Sequence, residues 1–142
     1  MSRMTRLQAN AALVDGVQAD VRDSAEVLAL LERQFEAALR HQSAELSALA
    51  GLLAPLLDAM EARRQQRVAL VRALLGEGAT MAQFILTLGE PAQGALAAAW
   101  ADLEHTVQAC KAASTRNGNL LAEQHSVMQR VLHGEEGIYA PR

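Results

Sequence analysis

The chain has 142 residues, a formal net charge of −3 and a sequence rich in alanine, with only 3% aromatic residues. This fits one domain whose core is a thin seam between helices, because alanine fills little volume. The acidic balance offers no surface for neutralising phosphates, which argues against nucleic acid as a partner. The single Cys110 excludes an internal disulfide. Residues Met1 to Gln18 lack the layout of a signal peptide, and no stretch approaches the continuous apolar run of a membrane span. A soluble cytoplasmic protein is expected.

Strand-type alternation is missing and strong helix formers dominate, so the fold class expected is all-α: an elongated antiparallel helical bundle or coiled coil. Met1 to about Ala12 reads as a frayed start. Helix one then runs to about Gln42 on a seam of Val14, Val17, Val21, Ser24, Leu28, Leu31, Phe35 and Ala38. Arg40 to Ser43 reads as a turn with Ser43 as N-cap of the next helix. The seam carries through Gln42 to Leu46 unbroken, so one continuous helix is the alternative.

Helix two covers about Ala44 to Leu75, completing a long first hairpin. Leu46, Leu49, Leu53, Leu56 and Met60 form its seam. Arg63, Arg64 and Arg67 then occupy positions that the same phase would bury, before Val68, Val71 and Leu75 resume the row. Such a stutter locally unwinds a coiled coil. The arginines read either as a solvated helix face or as a contact for an acidic partner. Pro55 predicts a bend or a helix restart.

Gly76-Glu77-Gly78 ends helix two, Thr80 caps a short helix from Met81 to Leu88, and Gly89-Glu90-Pro91 closes it, with Pro91 suited to the first position of the last helix. That helix runs from about Ala92 to Leu132. Its seam is Leu96, Trp100, Leu103, Val107, Cys110, Ser114, Asn117, Leu121, Gln124, Met128 and Val131. The seam turns polar at Ser114 and Asn117. Gly118 follows, at a cost of about 1 kcal/mol relative to alanine. Asn117 reads either as a register-setting amide or as part of a site where another chain approaches closely; a helix break at Asn117-Gly118 is a third reading. Beyond it the apolar face widens to Leu120, Leu121, Val127, Met128, Val131 and Leu132. One helical neighbour does not need so broad a face, so part of it is expected to serve a partner. Gly134 to Arg142 reads as a mobile tail, with Ile138-Tyr139 as its only bulky apolar pair.

Motifs for chemistry are missing. There is no phosphate-binding glycine loop. The four histidines do not pair at i, i+4, and no Glu-x-x-His suggests a metal site. Cys110 reads as a small buried hydrophobe, with a reactive thiol as the alternative. No enzyme activity, metal or cofactor is expected.

Several elements together carry a resemblance. They are Leu30-Leu31-x-x-x-Phe35-x-x-x-Leu39 in helix one, Arg67-x-x-Leu70 and Leu74-Leu75-Gly76 closing helix two, then Trp100, Asn117-Gly118-x-Leu120-Leu121, Arg130 and Tyr139. From about Leu28 onward the chain resembles the FlgN-type flagellar export chaperones. Ser114 stands where that family often has a second asparagine. The resemblance implies a cytoplasmic, substrate-specific chaperone of flagellar type III export. Such chaperones hold hook–filament junction (hook-associated) proteins by their C-terminal amphipathic segments, prevent premature assembly and deliver them to the export gate. It further implies a client-binding face of Asn117, Gly118, Leu120, Leu121, Gln124, Val127, Met128, Val131 and Leu132. Tyr139 would dock on the cytoplasmic domain of the export gate protein, with the export ATPase complex as a further partner and a monomer or weak homodimer as the free form. The competing reading is a structural coiled-coil subunit that associates with itself.

Overall fold

A computed structural model describes residues 4–139, with side chains described to residue 134. The described fold is all-α. Four helices follow one another: α1 (Arg6–Leu39), α2 (Ser43–Leu75), α3 (Met81–Leu86) and α4 (Ala92–Tyr139).

Helix α1 starts earlier than the pattern suggested. Thr5 Oγ1 accepts from the Gln8 backbone N–H at 3.1 Å, and Gln8 Oε1 accepts from the Thr5 N–H at 2.9 Å. This reciprocal capping box satisfies two otherwise orphan donors and is worth about 1 kcal/mol. Residues Arg6 to Ala12 are therefore helical, not frayed, and Ala9 is already buried.

The hairpin turn is real, and the continuous-helix alternative falls. The Gln42 N–H bonds to Ala37 O at 2.9 Å and the His41 N–H to Ala38 O at 3.2 Å. That pair of bonds is a Schellman ending. It places His41 at φ 55°, a left-handed position where glycine is usual and histidine is tolerated. Gln42, not Ser43, takes the N-cap position of α2, without a side-chain cap bond.

Pro55 lies inside α2 and neither ends nor restarts it. Its missing N–H leaves the Gly51 carbonyl without a helical donor. Both residues are exposed, so the unpaired carbonyl does not sit in the core. By length and composition α2 is long and apolar enough to cross a membrane. Glu45, Asp58 and Glu61 interrupt it, so its hydropathy comes from dispersed leucines and alanines, and Leu49 and Leu53 pack on α1.

Gly76 (φ 95°) and Gly78 (φ 78°) take the left-handed conformations of the turn into α3. Thr80 and Gln83 repeat the capping box at 3.2 and 2.9 Å. The Gln93 amide donates to the carbonyls of Ile85, Leu86 and Leu88, closing the end of α3 against α4. Helix α4 begins just after Pro91, where the Glu90 carboxylate accepts from the Gly94 N–H at 3.3 Å. A negative charge there also complements the helix dipole.

Helices α1 and α2 form an antiparallel hairpin, and α4 returns alongside α1 in the parallel sense. Three bonds fix that register. Cys110 Sγ meets Ser24 O, Asn117 Nδ2 meets Leu31 O and Gln124 Nε2 meets Ala38 O, each pair 86 residues apart and each one heptad beyond the last. Helix α1 is thus the central element, packed against both α2 and α4, whereas α2 and α4 do not pack closely on each other.

The core has two parts. Leu13, Val17, Val71, Phe84, Leu96 and Leu103 form one cluster at the α3 end, and Val27, Leu30, Leu31, Leu49, Leu53 and Ala113 form the other toward the hairpin turn. Between them, Asp20 is 1% exposed and carries the fold's buried charge. Arg63 and Arg67 both bond it, the latter at 2.9 Å, and Arg63 also reaches Asp23. Burial works against the Arg63 charge, but hydrogen bonds with Asp20 and Asp23 outweigh it and raise its pKa. The stutter in α2 is the other half of this layer. The acidic partner of Arg63 and Arg67 is inside the chain. Arg64 pairs with Glu61 at 2.8 Å on the same helix, which lowers the Glu61 pKa to about 2.

Candidate partner-binding surface

Helix α4 is the longest element at 48 residues, about 72 Å. Helix α1, at 34 residues, spans about 51 Å. In their shared register α1 ends opposite Gln124, so the last part of α4 extends past its only long neighbour. The helix continues through Gly134 to Tyr139, beyond the end expected near Leu132. The Ile138 and Tyr139 side chains and residues 140–142 lie outside what is described.

The expected client-face residues divide into two groups. Asn117 is 2% exposed and points into the fold. Its Nδ2 donates to Leu31 O and to Gln34 Oε1, both at 2.8 Å. Its Oδ1 accepts from the Arg116 guanidinium at 3.1 and 3.2 Å. Arg116 in turn lies 3.9 Å over the Phe35 ring and reaches Glu32 at 3.3 Å. Asn117 is therefore a register amide, and its place on an open client face is corrected. Gln124 is also committed, donating to Ala38 O at 3.0 Å, one of the last carbonyls of α1.

The second group is open. Leu121 is 38% exposed, Val127 45%, Met128 57%, Val131 52% and Leu132 47%, and Leu120 is half-buried. With His41 of the hairpin turn, Leu120, Val127, Met128 and Val131 line a shallow cavity of about 430 Å³. These side chains continue the face that α1 covers higher up; Val127, Met128, Val131 and Leu132 are exposed because α1 has ended, whereas Leu120 and Leu121 still lie beside its last residues. Gly118 is exposed within an unbroken helix, so the helix-break reading falls. A methyl group at Gly118 would meet nothing within 4 Å, so no contact inside the chain requires glycine there.

A second surface was not anticipated. Because α2 and α4 stand apart on either side of α1, an apolar groove runs between them. Leu57 and Met60 of α2 face Val107 and Cys110 of α4, over a floor that includes Val27 and Leu31. The groove continues to Trp100, which Arg67 overlies at 5.3 Å. The sequence signal was Leu57, a leucine off the α2 seam that is about half exposed.

Cys110 belongs to this packing. Its thiol is half-buried, its pKa is raised by burial, and it donates to Ser24 O at 3.4 Å. This is the environment of an inert structural cysteine.

What the arrangement offers is binding area: an extended apolar strip and a groove, both shaped for helices. Comparison with known proteins returned no matching curated protein and no matching solved structure. One family model, described as FlgN protein, matches residues 4–133, nearly the whole chain. On that match the chain belongs to the FlgN family.

Proposed function

We propose that this protein is a cytoplasmic export chaperone that binds the C-terminal amphipathic segments of hook-associated proteins, prevents their premature assembly and delivers them to the flagellar type III export gate. Family membership supports a flagellar export chaperone as the general role. The observation that carries the finer reading is the apolar end of α4, where Leu121 stands open just before the end of α1 and Val127, Met128, Val131 and Leu132 stand open past it. An amphipathic client helix laid along this strip would bury apolar surface on both partners, the helix-in-groove mode. The client face in this proposal is Leu120, Leu121, Val127, Met128, Val131 and Leu132, with Gly118 at its start. Asn117 and Gln124 act indirectly, by anchoring α4 to α1. Tyr139, at the end of the helix, is assigned to the export gate protein, close enough to the client strip for one helix to serve both. The export ATPase complex is a further partner of the same delivery step. The mechanism is binding alone, without bond chemistry, metal or cofactor.

Co-expression with the C-terminal segments of the hook-associated proteins of the same genome tests this. Wild type should co-purify with at least one segment. Leu121→Asp should lose it while staying helical and keeping its oligomeric state. If Leu121→Asp instead dissociates a stable oligomer and no segment co-purifies with wild type, the protein is a self-associating structural subunit. Tyr139→Ala should retain client binding and reduce client secretion; undiminished secretion would remove Tyr139 from the gate.

A further inference from the structure

In a four-helix bundle each helix packs on two neighbours and stands diagonal to the third. Here α1 packs on α2 and α4, while α2 and α4 are held apart as diagonal helices are. The fourth corner is the groove between them. Its α4 wall runs from Trp100 to Ser114, about 21 Å, the length of a helix of about four turns.

The total accessible surface supports a missing partner. The chain exposes 9517 Å², against about 7,100 Å² for a compact monomer of its mass. The excess, roughly 2,400 Å², exceeds the ~800 Å² that each side of a standard interface buries.

The charges on the groove indicate what fits. Most are already used: Asp20 by Arg63 and Arg67, and Glu61 by Arg64. Glu104 and Lys111 are different. Both line the groove from α4, one heptad apart on the same helix face, and neither enters an ion pair among the described residues. A helix lying in the groove passes both.

We infer that the groove between α2 and α4 seats an amphipathic helix of a partner protein, whose apolar stripe covers Leu57, Met60 and Val107 and whose flank carries a base opposite Glu104 and an acid opposite Lys111. This rests on the chaperone reading in one respect: the natural occupant is then a helix of the client, held by the groove as well as by the end of α4. Opposite charges one heptad apart fix register and direction, because a helix inserted the other way turns its charged flank away from α4 and loses both pairs.

Trp100, the only tryptophan, sits on the groove wall and reports occupancy by its emission. The probes are two synthetic 18-residue helical peptides with a leucine stripe. One carries lysine seven residues before glutamate on the flank, and the other has the reverse order. Titrated against the full chain, one order should bind roughly ten-fold tighter than the other. The Glu104→Lys, Lys111→Glu double variant should invert that preference. Leu57→Asp, at a half-exposed position that tolerates a charge, should abolish binding of both while leaving the helical circular dichroism unchanged. Equal binding of the two orders, failure of the inversion, or binding that survives Leu57→Asp would overturn the inference. So would a wild-type dimer that Leu57→Asp converts to monomer, since the occupant would then be a second copy. The hook-associated segments separate this inference from the chaperone reading. A segment that still binds Leu57→Asp but not Met128→Asp leaves the chaperone and removes the groove. Peptides that bind the groove when no segment binds wild type leave the groove and remove the chaperone.

Discussion

Asp20 is the residue on which the middle of the fold depends. A carboxylate at 1% exposure is tolerated only because Arg63 and Arg67 both bond it. Removing it leaves the Arg67 guanidinium without its carboxylate and Arg63 with Asp23 alone, and breaking a buried pair in this way typically costs 3–5 kcal/mol. The Arg63 side chain is 22% exposed and that of Arg67 11%, so water relieves part of that penalty. Asp20→Ala should therefore lower the unfolding free energy by about 3 kcal/mol, measured by urea denaturation at neutral pH. A loss below about 1 kcal/mol would mean the layer behaves as a surface ion pair. This layer was half legible in the sequence. The arginines broke the α2 seam visibly, but their partner stands more than forty residues away on α1, and no local period connects them. Asn117 shows the same limit. Its polarity on the seam was plain, while the choice between an inward amide and an outward contact depended on where Leu31 and Gln34 lie.

At the scale of the element, the helices were legible because composition and heptad spacing act locally. The misreadings are also local. Thr5 and Gln8 form a capping box that moves the start of α1 forward, and the Thr-x-x-Gln pattern was available to show it. Pro55 suggested a bend or a helix restart, and α2 runs through it without a restart. Gly118 likewise sits in a continuous α4. With open space where its Cβ would be, Gly118→Ala should stabilise the free protein by about 0.5–1 kcal/mol through helix propensity. Thermal unfolding checks this. Unchanged or lowered stability would mean that the backbone at Gly118 departs from a regular helix. If the partner helix approaches closely there, the same substitution also weakens client binding. A glycine kept at a cost to the free protein then has its reason in the complex.

The whole molecule is an open bundle. One central helix carries two neighbours, and one of those neighbours outruns it. The sequence predicted the surplus apolar face at the end of α4, because its seam widened beyond what one helical neighbour needs. It did not show the groove, which exists only because α2 and α4 both choose α1 and stand apart. The large accessible surface follows from both features. The central claim is that the end of α4 is kept open for a client. Titration calorimetry of the chain with the C-terminal segment of a hook-associated protein, repeated with the Met128→Asp, Val131→Asp double variant, tests it most directly. Both side chains are more than half exposed and belong to neither core cluster, so the variant should fold with unchanged helicity. The account predicts one-to-one binding to wild type and a loss of at least 2 kcal/mol, roughly thirty-fold in Kd, in the variant. Equal affinity for both proteins would contradict it.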